Sequence, residues 1–420
     1  MPVVRRHKFE TTRIHSHGLL QQFVALVERR DPFSSWFTGV NSVGACVRSL
    51  TLPRVDICEE CDHDVSRKAL VSIRRILRYC SEVEVLTCAN LGPMRVLLSQ
   101  HAAPFLHLYK LKELFLSEVE AELRTPLSLG HFVRLRRFPC LRNLSLDLEW
   151  DGNETEAFGT LDTSRPRATG LSPVVDLALW AGESLATPGA ALFVADFAQL
   201  TRLEINLRGG VDLGPFLQAC PVTLTVLTIH YCEELLDDVG LEPVNVEADL
   251  ARFVHLTELT LGSGMFSPTC ELFPILSSHL PRLRTVTLEP GTHLVAAKLL
   301  PYVHARGGPS HQLDKLVLDS IELNTDPLPS GHPYRPDVKN GTFNFRNEWQ
   351  LPKWTASFGG ADARALISAA ARVGVDLVGE TVRAAEYDEV RAREEAYLQT
   401  RRDEILYSLR SLFGEGEGEV

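Results

Sequence analysis

A six-residue alternation, apolar-x-x-apolar-x-apolar, organises this chain. It reads VRSLTL at 47–52, VEVLTC at 83–88, LKELFL at 111–116 and LRNLSL at 141–146. It returns as LTRLEI at 200–205, LTVLTI at 224–229, LTELTL at 256–261, LRTVTL at 283–288 and LDKLVL at 313–318. A weaker copy, VVDLAL, stands at 174–179. Measured between their last residues, successive copies lie 24 to 36 residues apart. One such hexamer says little in a leucine-rich chain, but a run of them at near-constant spacing is an internal repeat.

The last two apolar positions of each hexamer alternate with polar ones, which is strand periodicity with the apolar side chains turned inward. A strand this short cannot bury its own apolar face. Stacking the copies in parallel gives one sheet and one shared interior. Each step leaves about 20 residues to return the chain, enough for a turn, a helix and a loop. Residues 64–79 place Ala69, Ile73, Ile76 and Leu77 on one helical face, with Asp64 or Ser66 as N-cap. Residues 93–105, 215–219, 267–280 and 294–304 read as further helices. The predicted fold is therefore an α/β leucine-rich-repeat solenoid, a horseshoe with a parallel concave sheet and outer helices. A doubly wound sheet would want longer strands and glycine-rich turns after them.

Four segments follow. Residues 1–46 form an N-terminal helical cap around an amphipathic helix at 18–29. Residues 47–323 are the array, with a polar loop inserted at 151–170. Residues 324–385 are an irregular C-terminal cap, holding an aromatic and proline-rich stretch and an alanine-rich helix at 361–373. Residues 386–420 are a charged helix and a disordered acidic tail ending GEGEGEV.

These hexamers, covering 47–323, resemble the leucine-rich-repeat proteins of fungi, especially the F-box type, whose repeats form a substrate-receiving arc. Cys232 falls where such repeats carry Asn or Cys, whereas Val55, Val119 and Gly264 stand there in other copies, which predicts irregular turns in place of an asparagine ladder. The resemblance implies a non-enzymatic protein-interaction scaffold and, more finely, a substrate receptor of an SCF-type ubiquitin ligase. No F-box is recognisable in residues 1–46, so a Skp-type adaptor is expected as a partner only if an F-box lies upstream. The alternative is a GTPase-regulating repeat protein similar to the Ran GTPase-activating proteins.

Composition narrows the function classes. The chain has 420 residues and a formal charge of −11, from 54 acidic and 43 basic side chains. An acidic chain is a poor phosphate-binding surface, because nucleic-acid affinity rests on clustered Lys and Arg. No apolar run is long enough for a signal peptide or a membrane span. The nine cysteines are scattered and odd in number, which suits a reducing compartment, cytoplasm or nucleus. Cys58 and Cys61, with His63 and Cys80 near in sequence, make a CxxC pattern short of a second ligand pair, and read as a loop with two cysteines. His15 and His17 read as decoration of a polar terminus. There is no phosphate loop, no GxSxG and no HExxH. No cofactor, metal or catalytic residue is expected.

The candidate site is a surface. Side chains flanking the buried pair of each strand point to the concave side, and those assigned to protein binding are Glu113, Phe115, Asp147, Arg202, Glu204, Thr228, His230, Glu258, Thr260, Thr287, Glu289, Lys315 and Asp319. Acids outnumber bases among them and gather in the second half of the array. This predicts a protein partner presenting a basic segment. The competing reading is that small hydroxyls suit a tight sheet and the acids serve solvation.

Overall fold

The computed structural model describes residues 9–28, 43–52, 63–88, 108–117, 138–147, 173–207, 211–231, 246–262, 272–289, 296–307, 313–318 and 360–379. The chain divides into two compact units, Met1–Leu283 and Arg284–Val420.

In the first unit the described strands are β1 (Thr11–Arg13), β2 (Ser49–Leu52), β3 (Val85–Cys88), β4 (Glu113–Ser117), β5 (Asn143–Asp147), β6 (Asp176–Ala181), β7 (Arg202–Leu207), β8 (Val226–Tyr231) and β9 (Glu258–Leu261). Each pairs in parallel with its sequence neighbours, with no crossover. Helices α1 (His17–Glu28), α2 (His63–Tyr79), α3 (Pro188–Ala195), α4 (Gly214–Ala219), α5 (Glu247–Leu250) and α6 (Leu272–His279) lie between strands in the chain. In the second unit β10 (Thr285–Leu288), β11 (Lys315–Leu318) and β12 (Asp376–Val378) pair in parallel in the same sequential manner, with α7 (Ala296–Arg306) and α8 (Gly360–Val373) between them. Parallel strands in sequence order with interleaved helices are the solenoid that the hexamers predict.

The register explains the stability of the stack. Leu50, Leu86, Leu114, Leu144, Leu177, Leu203, Leu227 and Leu259 stand opposite one another across successive strands. All are at most 1% exposed. A second column, from Leu52 and Cys88 to Ile229 and Leu261, is buried in the same way. No rung could bury these side chains alone, so each depends on its neighbours for removal from water. The first apolar residue of each hexamer is buried too. In most copies its N–H closes a turn on the carbonyl three residues upstream, as in Leu111 N to Leu108 O at 3.1 Å and Leu256 N to Phe253 O at 2.9 Å. Phe138, Phe197 and Phe253 occupy that upstream position and are buried.

A hydrogen-bond ladder ties the rungs together just before each strand. The carbonyl of Thr201 accepts from the N–H groups of Thr225 and Val226 at 2.8 and 3.0 Å, and that of Thr225 accepts from Thr257 and Glu258 in the same manner. The threonine hydroxyls join in. Thr201 Oγ1 donates to Val175 O at 3.1 Å, Thr225 Oγ1 to Thr201 O at 3.0 Å and Thr257 Oγ1 to Thr225 O at 3.0 Å. The expected asparagine-type positions, Cys232, Val55, Val119 and Gly264, follow the strands in the chain and lie outside the described residues, whereas this ladder precedes the strands.

Helix α2 buries Ala69, Ile73, Ile76 and Leu77 as its periodicity predicts. It begins at His63, so Asp64 and Ser66 lie inside the first turn and not at the cap. Its last residue abuts the 3-10 turn Val43–Cys46: a Cβ on Gly44 would meet the Tyr79 carbonyl oxygen at 2.5 Å, so only glycine fits. The helices expected at 267–280 and 294–304 run from Leu272 to His279 and from Ala296 to Arg306. Residues 93–105, the loop at 151–170, the aromatic stretch at 324–354 and everything after 379 lie outside the described residues.

Candidate docking face

Alternation along each strand sends every second side chain away from the core, and the parallel register sets those side chains in rows across the sheet. The lowest row of the first unit runs Thr11, Ser49, Val85, Glu113, Asn143, Asp176, Arg202, Val226, Glu258. The middle row includes Phe115, Ser145, Ala178, Glu204, Thr228 and Thr260. A short upper row holds Asp147, Trp180, Asn206 and His230. Neighbours within a row are about 4.8 Å apart, and rows are about 6.7 Å apart.

The predicted residues fall on this face. Arg202 and Glu258 are exposed, as is Phe115 at 37%, while Glu113, Asp147, Glu204, Thr228, His230 and Thr260 are half-buried. Glu204 and Glu258 are not adjacent: they sit two strands apart in different rows, with Ala178 and Thr228 beside the first and Val226 beside the second. In the second unit Thr287 is half-buried on β10 and Lys315 exposed on β11. Glu289 lies one residue beyond β10 and is half-buried. Asp319 lies outside the described residues.

Polar contacts run along and across the strands. Asn206 Nδ2 donates to Glu204 Oε1 at 3.0 Å, and Asn143 Nδ2 to Glu113 Oε1 at 3.4 Å. Arg202 Nε lies 3.4 Å from Asp176 Oδ2. Burial lifts the Asp176 carboxyl above its ordinary value. Arg202 opposes that lift and nearby Glu204 adds to it. Between β4 and β9 the described residues of the face carry five acids, Glu113, Asp147, Asp176, Glu204 and Glu258, against the single cation Arg202.

Sequence reasoning missed Asp176, Ala178 and Trp180, which flank the buried pair Leu177 and Leu179 of the weak hexamer at 174–179. Their signal was present, since Leu177 and Leu179 are core residues like any other pair. Treating that copy as a full rung places all three on the face.

No other described cluster offers chemistry. Cys58 and Cys61 lie outside the described residues, and nothing is described of the His63 side chain. Cys80 is fully buried, and burial pushes its thiol up to about 12, so it stays protonated at neutral pH and makes a poor metal ligand. Among the described residues no three His, Cys, Asp or Glu side chains cluster as a metal site would require, and no helix is long and apolar enough to cross a membrane. Compared with models of known families and with curated proteins, the chain matches none.

Proposed function

We propose that this chain is a non-enzymatic interaction scaffold that holds a protein partner on the solvent-facing side of its strands, through a basic segment of that partner. The observation that carries the reading is the row-by-row order of the face. Rigid parallel strands present five carboxylates and one guanidinium between β4 and β9, on a surface whose backbone is already fully paired within the sheet. Such a surface is preorganised, so binding costs little ordering on this side. Its field favours a cationic partner and speeds encounter at low salt. The buried cysteines at core positions support a reducing compartment, cytoplasm or nucleus, because a thiol there acts as a small hydrophobe.

Membership of an SCF-type ligase rests on the resemblance of the hexamers alone, and capture of a Skp-type adaptor by the full-length gene product tests it. The docking reading is tested by charge reversal. Partner capture should fall when Glu113, Glu204 and Glu258 are changed together to Lys. Unchanged capture, with the fold intact by circular dichroism, would sink it.

A further inference from the structure

The face is not uniform: its middle holds a low step beside an aromatic wall. Ala178, a methyl group, lies between Asp176 and Trp180 on β6. Across the register it meets Ser145 on one side and Glu204 on the other. Trp180 is half-buried and stands between Asp147 and Asn206. Three carboxylates, Asp147, Asp176 and Glu204, therefore ring a floor made of Ser145 and Ala178, with the indole as one wall. Arg202 is the cation among these neighbours, and it lies a row lower, toward Asp176. Adjacent positions are about 5 to 7 Å apart, so one long side chain laid on Ala178 would touch the indole and reach a carboxylate at once.

We propose that this step is the anchor of the docking face, taking one arginine or lysine side chain of an extended partner segment against Trp180, with Asp147 and Glu204 as its charge partners. The proposal rests on the docking-face reading and sharpens it to a residue and a ligand chemistry. The alkyl stem of an Arg or Lys needs an apolar bed, supplied by Ala178 and the indole. Its charged head needs carboxylates and a π-face, supplied around the rim. The flanking hydroxyls of Ser145 and Thr228 leave room for the backbone of such a segment to pass. An aromatic side chain amid small polar neighbours is also where binding energy concentrates at protein interfaces.

The test uses the full chain and a fluorescein-labelled 12-residue Gly/Ser peptide carrying one central arginine, its lysine twin and its citrulline twin, read by anisotropy at low salt. The arginine and lysine peptides should bind, and citrulline should bind roughly tenfold more weakly, because it keeps the shape and loses the charge. Trp180→Ala and Glu204→Gln should each weaken the arginine peptide about five- to tenfold, and Trp180→Phe should restore most of the loss of Trp180→Ala. Glu28→Gln, on helix α1 beside Arg75 and off the strands, should change it less than about twofold. Thermal midpoints confirm that each variant is folded. Equal binding of citrulline, an unaltered affinity in Trp180→Ala, or no binding by either basic peptide overturns the proposal. Loss of the natural partner on charge reversal, together with indifference to Trp180→Ala, would overturn the anchor and leave the docking face standing. Peptide binding that needs Trp180, with partner capture untouched by reversal, would do the opposite.

Discussion

Arg48 Nη1 lies 2.5 Å from Glu82 Oε2, joining the residue before β2 to the turn before β3. Lys110 Nζ reaches the same oxygen at 2.6 Å from the next rung, and Tyr109 Oη donates to Glu82 Oε1 at 3.4 Å. One carboxylate thus fastens three consecutive rungs. Hydrogen bonds from Lys110 first, and then from Arg48, hold the Glu82 carboxyl below its ordinary value.

Glu82→Gln should therefore weaken the fold in a pH-dependent way. A carboxyl whose native value is depressed stabilises fully above the ordinary Glu range near ~4.3, and its contribution is lost as pH falls through the lowered native value. The thermal midpoint of the variant should lie about 1 to 3 °C below the parent at pH 7, since solvent screens the site. The two should converge well below pH 4. Melting curves at pH 7 and pH 3 check this, and a gap that persists in acid would deny the carboxylate its role.

The threonine ladder gives a second expectation. Thr225→Val keeps the shape and removes the hydroxyl bonded to the Thr201 carbonyl. It should cost about 1 kcal/mol in urea denaturation, while Thr225→Ser should recover most of it. A neutral Thr225→Val would mean the backbone N–H pairs alone carry the ladder.

Alternation can be tested at adjacent residues. Leu227 is fully buried and Thr228 half-buried on the same strand. Leu227→Ala should cost about 2–5 kcal/mol and Thr228→Ala less than about 1 kcal/mol. Similar losses at both positions would contradict the assigned faces.

Two glycines should respond with opposite sign. Gly44→Ala drives a methyl into the Tyr79 carbonyl and should cost about 1–3 kcal/mol. Gly18, inside α1, has open space where a methyl would stand, with no atom within 4 Å, so Gly18→Ala should stabilise by about 0.4–1 kcal/mol. Chemical denaturation of the two single variants decides.

Thiol reactivity should follow burial. Burial pushes Cys80 and Cys88 up to about 12 and raises Cys220 further, so none of the three is a thiolate at pH 8. Brief iodoacetamide treatment at pH 8, mapped by mass spectrometry, should modify exposed Cys140 and spare these three until urea is added. Early labelling of Cys220 would show that its rung opens readily.

The strands β2 to β11 were legible because each carries a full alternating hexamer. β1 and β12 were not, because three residues, TTR and DLV, are too few to display a period. Helix α3 was missed for a different reason. Its sequence PGAALFVA is apolar on every side, so no polar face marks the period, although Thr187 caps it through Ala190 N at 3.3 Å and Pro188 sits at its first turn. The rows of the docking face followed from the alternation, yet the step at Ala178 did not. It needs the register that sets Ser145, Ala178 and Glu204 abreast, and a hexamer read alone contains no information about its neighbours.

The bifurcated carbonyls before the strands have a kinetic consequence. Among the described residues, the strand partners of each rung in the first unit come from the rung just before or after it, only 24 to 38 residues away. Closing such short loops costs little chain entropy, so assembly should start anywhere along β1–β9 and spread outward like a zipper. Amide exchange would then slow progressively from the terminal strand β1 toward β6, giving a gradient of local opening along the chain where an ordinary globular core would open as one.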